Sequence, residues 1–200
     1  MKKRISFLDL QWLNEPKDKI IKEKSALIST DPHTDLWNQT YTHEIHHNAP
    51  ILYFENEEDM TLSVKVEFKH LKRYDQCGLV VYITSECWFK LCVEYVDDVV
   101  SKLTTVVTQN GFSDQSSMNI SSQIHSMYFR LHHRDFTFLA QNSFNGIHYK
   151  DMRLFHLDPL GQRLKIGVFA ASPLSSSFDA KFTDLIKESC KWQPYQGEKQ

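Results

Sequence analysis

Three residues of one short segment have side chains suited to binding a sugar. Between positions 88 and 96, Trp88, Lys90 and Glu94 alternate with an apolar set. Because successive side chains of a β-strand point to opposite faces, these three share one face of a strand. An indole covers the C–H surface of a sugar, and charged groups fix its hydroxyls. The segment predicts either a polyol or sugar site or an ordinary solvated sheet face.

The same residues define an enzyme alternative. In it, Glu94 is a general acid or base tuned by Lys90, and Asp75 or Asp114 is the second carboxylate. Glycoside hydrolysis needs two carboxylates about 5–10 Å apart at an open cleft. The sequence contains no Glu-x-Asp-x-x-Glu pattern, no nucleophile elbow and no phosphate-binding glycine loop. We therefore favour a non-catalytic binding protein and assign no catalytic residue.

A zinc-protease pattern occurs in HEIHH, which begins at His43. Two histidines four apart hold zinc only when a helix places them on one face. Asn38, Thr40 and Thr42 are poor helix formers, and Pro50 follows closely. We predict a solvated loop here, and no metal or cofactor.

Three acids lie where strands meet loops. They are Asp35 in TDLW, Asp75 in YDQCGL and Asp114 in the Ser113-Asp114 pair. Such side chains often accept hydrogen bonds from the backbone N–H groups of a turn. We expect at least one of the three to be a turn cap.

The elements that must position these residues are β-strands. Alternation with a period of two is clear at 61–69, 88–96 and 164–170, and weaker at 99–108, 125–132, 136–142, 147–155 and 178–186. Turn signals such as Asn145-Gly146 separate these segments. The spacing predicts an antiparallel sandwich or barrel. Residues 16–26 favour a short helical turn, and either face of 76–83 could point inward.

Composition limits the class of protein. With 200 residues we expect one domain over residues 1–192 and a loose tail over 193–200. The formal charge of −2 argues against a nucleic-acid partner. No apolar stretch reaches the roughly 18 residues of a membrane span, and we expect a cytoplasmic protein. The four cysteines form no CxxC pair, so we expect reduced thiols.

The ordered motifs resemble a known family. They include Trp12-Leu13-Asn14-Glu15-Pro16, Asp35-Leu36-Trp37, Tyr74-Asp75-Gln76-Cys77-Gly78-Leu79, Trp88-Phe89-Lys90, Phe144-Asn145-Gly146 and Ala170-Ala171-Ser172-Pro173. The chain is similar to the concanavalin A-like sandwich family of unknown function that includes the fungal regulation-of-enolase protein. The resemblance implies a jelly roll of two antiparallel sheets with a concave ligand face.

The resemblance also implies a set of ligand-binding residues. These are Asp35, Trp37, Asp75, Gln76, Trp88, Lys90, Glu94, Ser113, Asp114 and Arg153. Gln115 stands where the family commonly has a tryptophan, which weakens an inherited sugar-stacking role. The implied function is regulation in carbohydrate metabolism, through a carbohydrate, a small polar metabolite or a protein partner such as enolase.

Overall fold

Antiparallel β-strands make up nearly the whole chain in a computed structural model, which describes residues 2–159 and 161–193. Most of the predicted tail, residues 194–200, lies outside the described residues. The strands are β1 (Lys2–Arg4), β2 (Gln11–Leu13), β3 (Lys19–Lys22), β4 (Ser25–Ser29), β5 (Leu36–Asn38), β6 (Ile45–His47), β7 (Ile51–Asn56), β8 (Met60–Phe68), β9 (Gln76–Thr84), β10 (Cys87–Tyr95), β11 (Val100–Gln109), β12 (Phe112–Ser121), β13 (Ser126–Arg134), β14 (Thr137–Ser143), β15 (Lys150–His156), β16 (Leu164–Ala171) and β17 (Asp179–Ser189). Among the described residues, the helical structure consists of one 3₁₀ turn at Phe7–Asp9.

Two large sheets form the sandwich. Sheet A has the order β15-β14-β13-β8-β17-β4-β3, with β1 added beside β17. Sheet B has the order β12-β11-β10-β9-β16-β7-β2, and β5 with β6 forms a separate hairpin. The predicted all-β fold of two antiparallel sheets with little helix is confirmed.

The hydrophobic core follows the alternation seen in the sequence. On β8, Leu62, Val64 and Val66 point between the sheets and are almost completely buried, whereas Lys65 and Glu67 face outward. Burying such side chains is the main stabilising contribution of a sandwich of this kind.

Strand β9 is covered on both faces. Leu79 and Val81 belong to the core between the sheets, and Val80 belongs to a second apolar cluster on the outer face of sheet B. Both faces of residues 76–83 are therefore covered: one lies in the core between the sheets, and another part of the chain covers the other.

The helical turn expected at residues 16–26 is wrong. This segment contains β3 and the start of β4, and the two strands pair with Ile21 opposite Ala26. Strand β4 also pairs with β17, and Ala26 and Ile28 are buried in the core. Pairing and burial outweigh the weak local preference for helix.

Candidate functional site

The β5–β6 hairpin covers the outer face of sheet B. Leu36 is fully buried and joins Val80, Trp88, Val106 and Phe169 in one apolar cluster, against which Trp37 also packs. This cluster seals the middle of the face on which the sequence placed Trp88, Lys90 and Glu94.

Lys90 fastens the hairpin to the sheet. Its Nζ donates to the carbonyl oxygen of Leu36 at 2.6 Å and to Asp35 Oδ1 at 3.3 Å. Gln76 Nε2 donates to the same carboxylate oxygen at 3.1 Å, and so does the backbone N–H of Leu36 at 2.7 Å. We call Asp35, Gln76, Lys90 and Glu94 the polar cluster.

A second attachment lies at Ser113. Its Oγ accepts a hydrogen bond from the backbone N–H of Asn38 at 2.9 Å and lies 2.8 Å from Thr108 Oγ1. The Asn38 side chain donates to the carbonyl of Ser85. Asn38 and Thr108 were not among the predicted site residues, because nothing in their local sequence indicates these long-range contacts.

Burial governs the electrostatics of the polar cluster. The Lys90 side chain is 3% exposed and that of Asp35 is 19% exposed, so the pair has largely lost its water. Burial raises the pKa of Glu94, an effect that the nearby Lys90 ammonium partly opposes. Within the described residues, no side-chain hydrogen bond reaches the Glu94 carboxylate, and Glu94 retains 9% of its exposure.

Trp88 cannot receive a sugar in this conformation. Its indole is completely buried, its Nε1 has no hydrogen-bond partner among the described residues, and Lys90 Nζ lies 5.8 Å from the ring centroid. The stacking surface expected from Trp88 is therefore covered by the hairpin. Trp37 is half-buried, and its Nε1 donates to the carbonyl of Thr40.

Asp75 is a turn cap, as expected for at least one of the three acids. Its Oδ2 accepts hydrogen bonds from the backbone N–H groups of Leu71 and Lys72 at 2.9 and 2.8 Å. Its Oδ1 accepts from Ser176 Oγ at 2.6 Å, and the residue is fully buried. Asp75 is thus in the molecular interior and not at a ligand surface.

Asp114 and Arg153 lie away from the polar cluster. Asp114 stands directly opposite Val107 on the neighbouring strand, and Val107 faces the core between the sheets. Asp114 therefore lies on the opposite face of β12 from Ser113. Its carboxylate is 3.0 Å from the Arg153 guanidinium on β15. This salt bridge joins the edges of the two sheets, so the ten predicted residues do not form one constellation.

The HEIHH segment contains no helix: His43 and Glu44 are irregular and Ile45–His47 form strand β6, so the loop expected here covers only its first two residues. Gln39, Tyr41 and His43 all have positive φ, and the backbone N–H of Gln39 donates to the carbonyl of Glu44 across the hairpin. The zinc-protease geometry is therefore not formed. Over residues 2–159 and 161–193, no group of three or more His, Cys, Asp or Glu side chains is arranged to hold a metal.

The two packed sheets make this chain an antiparallel β-sandwich protein. The chain belongs to the family described as "Protein of unknown function (DUF1349)", whose profile matches residues 12–190. A curated relative, "Regulation of enolase protein 1" of Saccharomyces cerevisiae, is 32% identical over 106 residues, which are 53% of this chain and 52% of the relative. The chain thus spans about half the length of the curated relative that it matches.

Solved structures share the fold. A functionally unknown protein from Saccharomyces cerevisiae matches with a TM-score of 0.85 and 23% identity, covering 92% of this chain and 98% of that chain. The GH43 protein BlXynB from Bacillus licheniformis matches with a TM-score of 0.62 and 15% identity, covering 82% of this chain and 33% of that chain. At these identities the likeness concerns the fold alone. No helix in the described residues is long and apolar enough to cross a membrane.

Proposed function

We propose that this chain is a cytoplasmic binding protein that regulates a step of carbohydrate metabolism and has no catalytic activity. The observation that carries the proposal is the engagement of the carboxylates. Both oxygens of Asp75 are hydrogen-bonded inside a turn, and Asp114 pairs with Arg153 at the sheet edges. Neither is available to Glu94 as the second carboxylate of a glycoside-cleaving pair.

The ligand surface in this proposal is the margin of the covered face at Glu94. Gln76 and Lys102 stand opposite Glu94 on the two neighbouring strands. The Glu94 carboxylate accepts no hydrogen bond from the described residues and can accept one from a ligand hydroxyl. A sugar-like ligand or small polar metabolite with a hydroxyl donor fits this margin. Asp35 and Lys90 would position it indirectly by holding the hairpin.

The molecule bound in this function is either a small molecule, as above, or a protein partner. The name of the yeast relative makes enolase the first partner to test. The hairpin supports such contact, because Tyr41 is 95% exposed and Ile45 is 54% exposed at its tip. Neither nucleic acid nor a membrane is a partner in this function.

A thermal-shift screen tests the proposal. A folded-state ligand raises the melting temperature by mass action, so the chain is screened against central-carbon metabolites, sugars and sugar phosphates. We expect a ligand that stabilises the wild type and Glu67→Gln, a matched change on sheet A, but not Glu94→Gln. If no small molecule acts, immobilised enolase is the next probe, with Tyr41→Ala and Ile45→Asp expected to weaken its binding. Failure of both would contradict the proposal.

An alternative function is a carbohydrate-processing enzyme with Glu94 as general acid or base. The observation in its favour is the burial of Glu94, which raises the pKa of its carboxyl, the direction that a general acid requires. Hydrolysis of nitrophenyl glycosides separates the two functions. Turnover by the wild type that disappears in Glu94→Gln would favour the enzyme, whereas ligand binding without turnover would favour the binding protein.

A further inference from the structure

A cavity of about 300 Å³ lies at one end of the sandwich, on the opposite face of β10 from the polar cluster. Three segments form its walls: residues 68–70 at the end of β8 and just beyond it, Tyr95 at the end of β10 with Asp98 after it, and residues 122–125 between β12 and β13. Both sheets therefore contribute to it. Its volume is at the lower end of the range for small-molecule sites, about 300–1,000 Å³.

Backbone hydrogen bonds hold these walls in place. The N–H of Phe68 donates to the carbonyl of His125 at 2.9 Å, and the N–H of Ser122 donates to the carbonyl of Val99 at 3.1 Å. Ser122 Oγ also donates to the carbonyl of Asp98. The cavity is thus pre-formed, which lowers the entropic cost of binding.

Two aromatic rings form an angled pair of walls. The His70 imidazole stacks on Phe68 at a centroid distance of 4.5 Å and meets Phe178 edge-on at 4.7 Å. The Tyr95 ring lies 6.2 Å from His70, with the two planes at 54°. Burial lowers the pKa of His70 to about 3, so the imidazole is an uncharged wall at neutral pH.

The rim offers hydrogen-bond acceptors and little net charge. Tyr95 Oη donates to Asp98 Oδ1 at 2.6 Å, which leaves Asp98 Oδ2 and a lone pair of Tyr95 Oη to accept hydrogen bonds. Lys69 and Asp98 contribute one charge of each sign. A carboxylate beside aromatic walls suits a neutral molecule with C–H faces and hydroxyl donors.

We propose that this end cavity binds a neutral hydroxylated ring of monosaccharide size. The ring's C–H face lies against Tyr95, His70 forms the adjoining wall, and the ring's hydroxyls donate to Asp98. This site is separate from the Glu94 margin, and it does not depend on the function proposed above.

An NMR titration tests the site. Neutral aldoses and methyl glycosides are added to the labelled chain at about 10 mM, at which a millimolar site is mostly filled. We expect backbone shifts confined to residues 68–70, 95–98 and 122–125. Asp98→Asn should weaken binding about tenfold or more through loss of a charge-assisted acceptor, whereas Asp18→Asn, an acid-to-amide control elsewhere, should leave it unchanged.

A second variant guards against misfolding of the first. Gln123 is an exposed residue at the cavity mouth, and Gln123→Trp should abolish the shifts by closing it. Shifts centred on Gln76, Lys90 and Glu94 would overturn the end cavity while supporting the Glu94 margin. No shifts with any sugar, or shifts that survive both cavity variants, would overturn the inference and leave the proposed regulatory function to be judged by its own screen.

Discussion

The outer faces of the two sheets each carry a lysine and a glutamate on one strand, in very different surroundings. On sheet A, Lys65 Nζ lies 2.6 Å from Glu67 Oε1, and the two side chains are 23% and 39% exposed. On sheet B, Lys90 is 3% exposed and bonds to the hairpin, while Glu94 has no side-chain hydrogen bond in the described part of the chain. The difference is that a hairpin covers sheet B.

The two glutamates respond in opposite directions. The hydrogen bond from Lys65 lowers the pKa of Glu67, whereas burial raises the pKa of Glu94. The same residue types therefore form a solvated ion pair on one face, whereas on the other Lys90 attaches the hairpin and Glu94 is a buried carboxylate without a hydrogen bond from the described residues. Burial, and not composition, makes sheet B the candidate functional face.

The largest expected effect is at Lys90. Lys90→Met removes the cationic partner of Asp35 and a donor to the Leu36 carbonyl, and removing one partner of a buried pair costs about 3 kcal/mol of unfolding free energy. Lys65→Met, the matched change on sheet A, should cost less than about 1 kcal/mol because that pair is exposed to water. Urea unfolding measures both, and equal losses would mean that the covering hairpin makes no difference.

Ser113 tests the other attachment of the hairpin. Ser113→Ala removes the acceptor of the buried Asn38 N–H and should cost about 1–2 kcal/mol. Ser117 lies on the same face of β12 and is exposed, so Ser117→Ala should change the unfolding free energy by less than about 0.5 kcal/mol. Equal effects in thermal unfolding would show that the Ser113 contact does not fasten the hairpin.

Tyr41 tests whether the hairpin tip itself contributes to the attachment. Tyr41 is 95% exposed and has a φ of 68°, a region that favours glycine. Tyr41→Gly should leave stability unchanged or raise it by up to about 1 kcal/mol. A clear loss in denaturant unfolding would mean that the tip, and not only the polar cluster and Ser113, holds the hairpin.

The smallest effect is a difference in pH slope between the two glutamates. Because folding raises the pKa of Glu94, its ionisation removes stability as the pH rises from the unfolded pKa through the folded one. Folding lowers the pKa of Glu67, so its contribution is present above the unfolded pKa and is lost as the pH falls through the folded one. The change in melting temperature on Glu94→Gln, relative to the wild type, should therefore be more favourable at pH 7 than at pH 4. For Glu67→Gln it should be less favourable at pH 7 than at pH 4. Melting temperatures across this range check the signs, and parallel profiles would contradict them.

The sequence predicts the fold best where a strand buries one face completely. Segments 61–69, 88–96 and 164–170 correspond closely to β8, β10 and β16 because core packing imposes the alternation. Strand β12 is an exposed edge and shows no apolar alternation, so its pattern carries no such signal. The three-residue strand β5 depends on its contacts with sheet B, and β6 on its pairing with β5, and neither depends on local preference.

Site prediction meets the same limit. Alternation places Trp88, Lys90 and Glu94 on one face, and they do share it, but it cannot reveal that the hairpin buries Trp88. The contact of Asp35 with Lys90 spans 55 positions, and only the family resemblance suggested grouping them. That resemblance also grouped Asp114 and Arg153 with them, although those two join the sheet edges.

The most direct test is an NMR titration of the glutamate side chains in the folded wild-type chain. The central claim is that Glu94 is buried at the margin of the covered face without a hydrogen-bond donor among the described residues, while Glu67 remains a solvated partner of lysine. We predict that Glu94 titrates above the ordinary value of 4.5 and that Glu67 titrates below it. A Glu94 midpoint at or below 4.5 would contradict the claim, because it would mean that water or a hydrogen-bond donor reaches this carboxylate.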